Sequence, residues 1–285
     1  MTDKTIEDII LQHDGRNIGA LRPHLPKNYI EEAAQLILDN PGKAIIATGF
    51  HILSASAPET DGPPGAVAIG NALAKLGFEL AYVTDKFSMA ALRAVAPRNH
   101  RIIEFPLTGH RESAEFAFQV VKDEAPTVLI STERCGLSSD GTYRNMRGMD
   151  ISAFNAKIDH LFDLHPMSVG IGDGGNEIGM GHLYKVIPNY EKLPRNPCVT
   201  TVKKLVIASV SNWGSYGLVA GLSLLSEQNL LPSVQDEMTW VLKAVKAGAV
   251  DGISGESKPW VDNFPPEENA VCLRELHELL KARGV

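Results

Sequence analysis

Short apolar runs alternate with longer amphipathic segments along most of the chain. Six apolar runs predict strands buried on both faces, at residues 43–50, 78–83, 101–105, 126–131, 167–171 and 204–210. Seven segments with helical spacing of apolar residues predict helices, at residues 29–38, 66–76, 86–96, 111–124, 151–164, 176–186 and 211–227. Strands that alternate with helices are typical of a parallel sheet covered on both faces. We therefore predict a three-layer α/β/α fold with a mostly parallel, Rossmann-like sheet.

Two further helices are predicted near the C-terminus, at residues 235–247 and 266–282. Residues 1–27 are polar and lack a regular pattern, so we expect an irregular N-terminal arm. No internal repeat, low-complexity stretch or linker interrupts the chain. The simplest interpretation is a single domain over residues 1–285, in which the helices of residues 228–285 pack on the same domain.

Composition narrows the class of protein. The chain has 285 residues, 44% of them hydrophobic, and a net charge of −7. This acidic balance argues against nucleic-acid binding, and no apolar run reaches the roughly 18 residues that span a bilayer. The first ten residues lack a signal-peptide pattern, and Cys135, Cys198 and Cys272 are scattered, which fits a reducing compartment. We therefore expect a cytoplasmic protein with a small-molecule substrate and no membrane partner; homo-oligomers are compatible with this composition.

The most informative stretch is glycine-rich and runs from Gly170 to Gly181. Glycines at this density indicate positive φ angles or the close approach of another group. The run lies between a predicted strand and a predicted helix, where free backbone N–H groups favour an anion. We therefore expect Gly174, Gly175 and Asn176 to contact a ligand.

Part of this run, Gly170-x-Gly172-x-x-Gly175, also matches the dinucleotide-binding fingerprint. That fingerprint normally opens the first β–α unit and needs an acidic residue at the end of the next strand. Four predicted strands come first here, and Glu191, at the right distance, follows Pro188 rather than a strand. We therefore expect neither a nicotinamide nor a flavin cofactor.

Two carboxylates of the glycine run, Asp173 and Glu177, lie four residues apart across the predicted helix start. Both can face one ligand, and a divalent cation such as Mg²⁺ or Mn²⁺ often takes one or two carboxylates plus waters. The alternative is that Asp173 caps the helix and Glu177 lies in its first turn, where negative charge is favourable. The sequence leaves both interpretations open.

Two more carboxylates, Glu59 and Asp61, lie after the first predicted strand on a loop stiffened by Pro63 and Pro64. A rigid loop with two carboxylates suits a general acid–base or ammonium-binding site, and an ordinary Asp-Gly turn is the alternative. Asn212 opens the helix after the last predicted strand and is a candidate for the floor of the same pocket.

The loop at residues 132–150 is long for a compact domain, and such loops are usually functional. It carries one carboxylate and three guanidinium groups, on Glu133, Arg134, Arg144 and Arg147. Arginine is the preferred side chain for bidentate binding of a carboxylate, so we expect at least one of the three, with Asn145, to bind substrate. Cys135 lies in the same loop without a nucleophile-elbow pattern, and we assign it no catalytic role.

Together, several motifs resemble those of one family. They are Thr60-Asp-Gly-Pro-Pro-Gly65, Glu133-Arg134, Tyr143-Arg-Asn-Met-Arg-Gly148, Gly172-Asp-Gly-Gly-Asn-Glu-Ile-Gly-Met-Gly181 and Val210-Ser-Asn-Trp-Gly214. The set is similar to the C-terminal domain of the D-glutamate cyclase family, once labelled a domain of unknown function, and the resemblance covers about residues 45–227. The glycine run and the Asp-Gly-Pro-Pro-Gly loop are its most specific parts. One departure is Cys135, where the family pattern has proline.

The resemblance implies a lyase that interconverts D-glutamate and 5-oxo-D-proline plus water, assisted by a divalent cation. On this basis we expect Arg147 or Arg134 to bind the α-carboxylate. Four carboxylates are the expected catalytic groups: Asp61 or Glu133 for proton transfer, and Asp173 with Glu177 for the developing oxyanion, directly or through Mg²⁺. Two alternatives remain open, namely a metal-dependent hydrolase of another small amide or phosphate ester and a non-catalytic small-molecule-binding protein.

Overall fold

The computed structural model describes residues 4–285 and contains one main sheet. The strands of the chain are β1 (Lys43–Thr48), β2 (His51–Ile52), β3 (Ala57–Pro58), β4 (Glu79–Thr84), β5 (Arg101–Glu104), β6 (Val128–Thr132), β7 (Ser168–Gly172) and β8 (Lys204–Ile207). Six of them form a sheet in the order β5-β4-β1-β6-β7-β8, with every neighbouring pair parallel. The short strands β2 and β3 form a separate antiparallel hairpin.

The helices flank this sheet, so the predicted three-layer α/β fold with a mostly parallel sheet is confirmed. They are α1 (Ile6–Ile10), α2 (Tyr29–Leu38), α3 (Pro63–Lys75), α4 (Met89–Val95), α5 (His110–Glu124), α6 (His160–Leu164), α7 (Ser211–Leu225), α8 (Val234–Lys246) and α9 (Pro266–Ala282). Most predicted helices and strands lie within a few residues of these bounds. Within the described part of the chain, no helix is long and apolar enough to cross a membrane.

The chain order creates a switch point between β1 and β6. From β1 the sheet grows first through β4 and β5, and the chain then returns to place β6, β7 and β8 on the other side of β1. Ligands of open parallel sheets bind beyond the carboxyl ends of the strands at such a point. The fold therefore directs the segments after β1, β6 and β7 towards one place.

Helix α7 is the central helix of the packing around this place. Its residues 211–223 are all buried. Most of them are glycine, serine or apolar residues, so other elements can pack against every side of the helix. It packs against α1, α2, α3 and α9. The main hydrophobic core joins residues from Ile6 to Leu280; the single-domain organisation itself stays a prediction.

The N-terminal arm is not irregular, which corrects one expectation. Helix α1 begins with a capping box, in which the Thr5 hydroxyl accepts from the Asp8 backbone N–H and the Asp8 carboxylate accepts from the Thr5 backbone. A 3₁₀ helix follows over Ile18–His24. Both segments bury isoleucine and leucine side chains in the core, a tertiary contact that the polar local sequence conceals.

Residues 176–186 do not form the predicted α-helix, and only a short 3₁₀ helix occurs at Met180–Leu183. Tertiary backbone pairing replaces the helix, since the N–H groups of Gly179 and Gly181 both donate to the carbonyl of Thr200, at 3.0 and 3.1 Å. The Ile178 N–H donates to the carbonyl of Arg134. The anion site predicted at a helix start is therefore absent from this place, and Asp173 does not cap a helix at residues 176–186.

The predicted helix at residues 151–164 is also wrong over most of its length. A 3₁₀ turn at Ser152–Phe154 is followed by an extended Asn155, and only α6 is α-helical. The interruption has a tertiary cause, because the backbone of Ala156 is bound on both sides: its N–H donates to Asp85 and its carbonyl accepts from Arg134.

Candidate active site

A small cleft, with a cavity volume of about 80 Å³, opens beyond the carboxyl edge of the sheet. Its lining combines a mostly buried arginine and several carboxylates with a set of apolar side chains. The polar lining comprises Arg16, Glu59, Glu133, Asp173, Asn176 and Glu177, and the apolar lining comprises Phe50, Ile52, Leu53, Met146, Met149 and Ile253. The glycine run and the loop after β6 thus meet in one cavity, as the parallel sheet requires.

Three carboxylates come together at the N-terminus of α7. Asp61 follows the hairpin that extends β1, Glu133 follows β6 directly, and Asp173 follows β7 directly. One ligand oxygen from each of the three lies within 4.8 Å of the others. All three side chains are buried. An all-oxygen, acidic donor set of this kind suits a hard divalent cation such as Mg²⁺ or Mn²⁺.

Ser211, the first residue of α7, links these three carboxylates. Its backbone N–H donates to Asp61 Oδ2 at 2.9 Å and to Asp173 Oδ2 at 3.0 Å, and its hydroxyl donates to Glu133 Oε2 at 2.6 Å. The Asn212 N–H adds a bond to Asp61 Oδ1 at 2.8 Å. Free N–H groups at a helix start favour negative charge, so α7 provides the helix terminus that we had expected at the glycine run.

Asn212 holds the loop that carries Asp61, and its predicted contact with substrate stays untested. Its side-chain oxygen accepts from the N–H groups of Gly62 and Gly65 at 3.0 and 2.8 Å, and its side-chain nitrogen donates to Thr60. The side chain is fully buried and is not part of the cleft lining. Asn212 thereby fixes the Asp-Gly-Pro-Pro-Gly loop and the position of Asp61.

Glu177 lines the cleft but is not a member of the three-carboxylate group. Its two oxygens accept from the backbone N–H groups of Gly174 and Gly175, at 2.7 and 2.8 Å. Those two amides are consequently occupied and do not offer the predicted anion contact. The predicted metal pair, Asp173 with Glu177, stays a prediction, and Asp173 with Asp61 and Glu133 is a second group that could hold an ion.

The glycine run owes much of its composition to backbone packing. Gly175 has a φ of +93°, and a side chain there would meet the Pro194 ring. Gly170 lies inside β7, where an added Cβ would collide with the carbonyl of Ile178. Asn176, the remaining predicted contact in this run, is 4% exposed and lines the cleft.

The three arginines of the loop after β6 have different positions. Arg134 is fully buried, and Arg144 pairs with Asp140 at the surface at 2.6 Å. Arg147 is exposed and lies at the mouth of the cleft. Of the two arginines predicted to bind a carboxylate, Arg147 is placed where it can do so, and Arg134 is a structural residue.

Asn145 also lines the cleft, but its side-chain oxygen accepts from the backbone N–H groups of Arg147 and Met149, at 3.1 and 3.0 Å. It therefore shapes the turn that carries Arg147. Cys135 in the same loop is buried and its thiol donates to the carbonyl of Arg144. Burial raises the pKa of this thiol, which supports the decision to assign it no nucleophilic role.

Arg16 is a site residue that the sequence analysis missed. It reaches the cleft from the N-terminal arm and contacts Asp173 Oδ2 at 2.6 Å and Asp262 Oδ2 at 2.7 Å. Asp262 arrives from the loop between α8 and α9. Neither residue lies in a strand–loop–helix unit, so the periodic pattern carried no signal for them. The only local hint was the turn sequence around Gly15 and Asn17.

Crowding of the carboxyl groups changes their protonation. Burial, followed by the neighbouring carboxylates, raises the pKa values of Glu59, Asp61 and Glu133. Burial also raises the pKa of Asp173, against the opposing effect of Arg16. The same balance raises the pKa of Asp262 to about 7. A site with one arginine and so many carboxyl groups must retain protons or attract a further cation.

Comparisons with known proteins agree with this arrangement. The family described as D-glutamate cyclase-like, C-terminal, matches residues 6–277. The human protein named "D-glutamate cyclase, mitochondrial" is 32% identical over 211 residues, which cover 67% of this chain and 34% of the human protein. The chain therefore corresponds to about a third of that relative's length, and a cytoplasmic location for this chain stays a prediction. This chain, with its carboxylate-lined cleft at the switch point of the sheet, is therefore a member of the D-glutamate cyclase-like C-terminal family.

Proposed function

We propose that this chain is a lyase that interconverts D-glutamate and 5-oxo-D-proline plus water. Membership of the family supports a lyase, and the human relative's name supports the substrate. The observation that carries the proposal is the group of Asp61, Glu133 and Asp173 around the N-terminus of α7, at the edge of the cleft.

The reaction joins two groups of one molecule. The amino nitrogen of D-glutamate forms a bond to the side-chain carboxyl carbon, and one C–O bond of that carboxyl breaks. The ammonium gives up two protons, and the departing oxygen receives two and leaves as water. Because the reacting groups are already tethered, the protein has to fold the substrate, remove water and move protons.

Two carboxyl groups are the candidates for moving these protons. Glu59 and Glu133 both line the cleft and are at most 6% exposed, and burial raises both pKa values, so each can retain a proton where an exposed carboxyl group would be ionised. Asp61 is less suited, because its two oxygens already accept backbone N–H groups from Gly62, Ser211 and Asn212. The sequence left Asp61 and Glu133 as candidates for proton transfer. We now favour the two carboxyl groups that face the cleft, Glu133 and Glu59.

A divalent cation fits the three-carboxylate group, as judged from its oxygen-only donors and its excess negative charge. Asp61, Glu133 and Asp173 would hold the ion, and it would polarise a carboxyl or amide oxygen of the ligand. An added positive charge would also reduce the repulsion between this acidic wall and a doubly anionic amino acid. Arg147 at the mouth would attract the same substrate.

The proposal is tested by following conversion in both directions. The protein is incubated with D-glutamate, L-glutamate or 5-oxo-D-proline, with Mg²⁺, Mn²⁺ or a chelator, and products are separated by chiral chromatography. Reaction of 5-oxo-D-proline in H₂¹⁸O should place one ¹⁸O in the side-chain carboxyl of D-glutamate, because water adds to the ring carbonyl. Equal labelling without protein, or no conversion in either direction, contradicts the proposal.

Two variants refine the test. Glu133→Gln removes both a candidate proton carrier and a candidate ligand, so the conversion rate should fall by a factor of 100 or more, on the order of the effect of a general acid–base group. Glu115→Gln is the matched control, since Glu115 is exposed on α5 and pairs only with Arg111. Similar activity in both variants would remove Glu133 from the mechanism. Activity that survives exhaustive chelation would remove the metal but leave the lyase assignment intact.

A further inference from the structure

The N-terminal arm is built to hold Arg16 in one position. The Asp14 carboxylate closes the turn around Arg16, because it accepts from the backbone N–H groups of Ile18 and Gly19, at 2.9 and 2.7 Å. His13 and Asn17, on either side, both adopt left-handed conformations, with φ of 56° and 67°. Left-handed backbone at a residue with a side chain costs roughly 1–2 kcal/mol and persists where the surroundings determine it.

Tertiary contacts fix the arm on the wall of the site. The His13 ring packs edge-on against Trp213 of α7 and against Phe264, with ring centroids 6.5 and 6.1 Å apart. Trp213 lies two residues after Ser211, so the arm and the three-carboxylate group share one support. Strain on both sides of Arg16, held by aromatic packing, indicates that the position of this guanidinium matters.

The contacts of Arg16 are close but incomplete. The Arg16 side chain is 16% exposed, with Nη1 at 2.6 Å from Asp173 Oδ2 and Nη2 at 2.7 Å from Asp262 Oδ2. Among the described residues, Nη1 and Asp262 Oδ2 nevertheless have no partner with the alignment of a hydrogen bond. Arg16 and Arg147 are the two cationic side chains in the lining of the cleft, and Arg147 is exposed at the mouth. Arg16 is therefore the less exposed of these two cations, and its Nη1 group lacks a well-aligned acceptor among the residues that the structure describes.

We propose that Arg16, rather than an arginine of the loop after β6, binds the α-carboxylate of the substrate. This inference rests on the proposed function, because it names the recognition group for D-glutamate and 5-oxo-D-proline. A guanidinium presents five N–H donors in a plane and binds a carboxylate through two parallel hydrogen bonds. Only a positively charged group at this depth can offset the carboxyl groups around it when an anionic ligand enters.

The geometry also links Arg16 to the candidate metal site. Asp173 contacts Arg16 and is at the same time one of the three carboxylates that could hold a divalent cation. Two positive charges on one carboxylate repel each other, so removal of Arg16 should strengthen cation binding while it weakens substrate binding. A residue that only maintained the structure would weaken both when removed, and the opposite signs therefore separate the two roles.

The experiment uses the full chain with Arg16→Lys, Arg16→Gln and the control Arg22→Gln, since Arg22 lies in the same arm and pairs with Asp8 at the surface. Calorimetric titrations measure the affinity for 5-oxo-D-proline, for its neutral carboxamide and for Mn²⁺ alone. Arg16→Lys should bind the acid roughly ten- to a hundred-fold more weakly, because lysine keeps the charge but loses the two-bond geometry. The carboxamide affinity should be unchanged, and Arg16→Gln should bind Mn²⁺ more tightly than the wild type.

Each outcome decides between the two proposals. Equal losses for the acid and the carboxamide, or weaker Mn²⁺ binding by a folded Arg16→Gln protein, would overturn the role of Arg16 and leave the lyase assignment standing. A wild-type protein that binds neither D-glutamate nor 5-oxo-D-proline would refute the proposed function and this inference together. Circular dichroism and thermal melting of every variant identify proteins that have failed to fold; Arg16→Lys, which preserves the charge, then carries the test.

Discussion

Replacement of Arg134 with methionine should destabilise the folded protein far more than the same replacement at Arg147. Arg134 is fully buried, and its guanidinium donates to Asp85 Oδ2 at 2.5 Å and to the carbonyls of Gly49 and Ala156, each at 2.8 Å. Arg147 is exposed and has no ion-pair partner among residues 4–285. The two residues are only 13 positions apart, and local sequence treats them as equivalent.

The magnitude follows from what the substitution leaves behind. Methionine fills much of the volume of Arg134, but Asp85 remains as a buried carboxylate with only backbone N–H donors from Phe87, Ser88 and Ala156. Loss of one partner of a buried ion pair typically costs about 3–5 kcal/mol. An exposed substitution such as Arg147→Met usually changes stability by less than about 0.5 kcal/mol.

Urea unfolding followed by circular dichroism measures both values, and the double variant Asp85→Leu/Arg134→Met provides the control. Replacement of both partners by apolar side chains removes the unpaired charge, so the double variant should recover most of the lost free energy of unfolding. Arg147→Met should instead alter the affinity for anionic ligands. If the free energy of unfolding of Arg134→Met lies within about 1 kcal/mol of the wild-type value, the Arg134–Asp85 pair does not hold this loop. Our distinction between the two arginines then fails.

Three further predictions concern buried groups. His51→Phe should raise the free energy of unfolding by about 1 kcal/mol or more, because both ring nitrogens are buried without partners while the stacking on Phe154 at 4.6 Å is retained; a lower melting temperature would contradict this. Gly175→Val should lower the free energy of unfolding, because φ of +93° and the Pro194 ring exclude a branched side chain; a wild-type melting temperature would show that the turn tolerates a side chain. Burial raises the pKa of Glu237 to about 8 from its usual value of 4.5, so the free energy of unfolding should fall as the pH rises from about 4.5 to about 8, by roughly 5 kcal/mol in total, and should change no further above pH 8. Glu237→Gln should flatten that part of the pH–stability profile, and an unchanged profile would show that Glu237 is ionised in the folded state.

Several features of the candidate site could be predicted from the sequence because parallel sheets bring strand ends together. Asp61, Glu133 and Asp173 each follow a predicted strand, and the structure gathers them within one small volume. The same reasoning placed Glu177 and Asn176 in the cleft. Which carboxylates form one group could not be predicted, since this depends on the side-chain hydrogen bonds of Ser211 and of the glycine turn.

The sequence by itself determined the layered fold. Strands buried on both faces appear as short apolar runs and helices buried on one face show helical spacing of apolar residues, so both patterns can be read locally. Tertiary structure decided the positions of the arginines. Arg134 pairs with the buried Asp85, and Arg16 reaches the site from an arm that has no periodic pattern. It also replaced the predicted helix at residues 176–186 with pairing to Thr200. In each case the partner that decides the outcome is distant in the chain. Helix propensity contributes only a few tenths of a kcal/mol per residue, and it is outweighed by buried hydrogen bonds and ion pairs that exist only once the chain has folded.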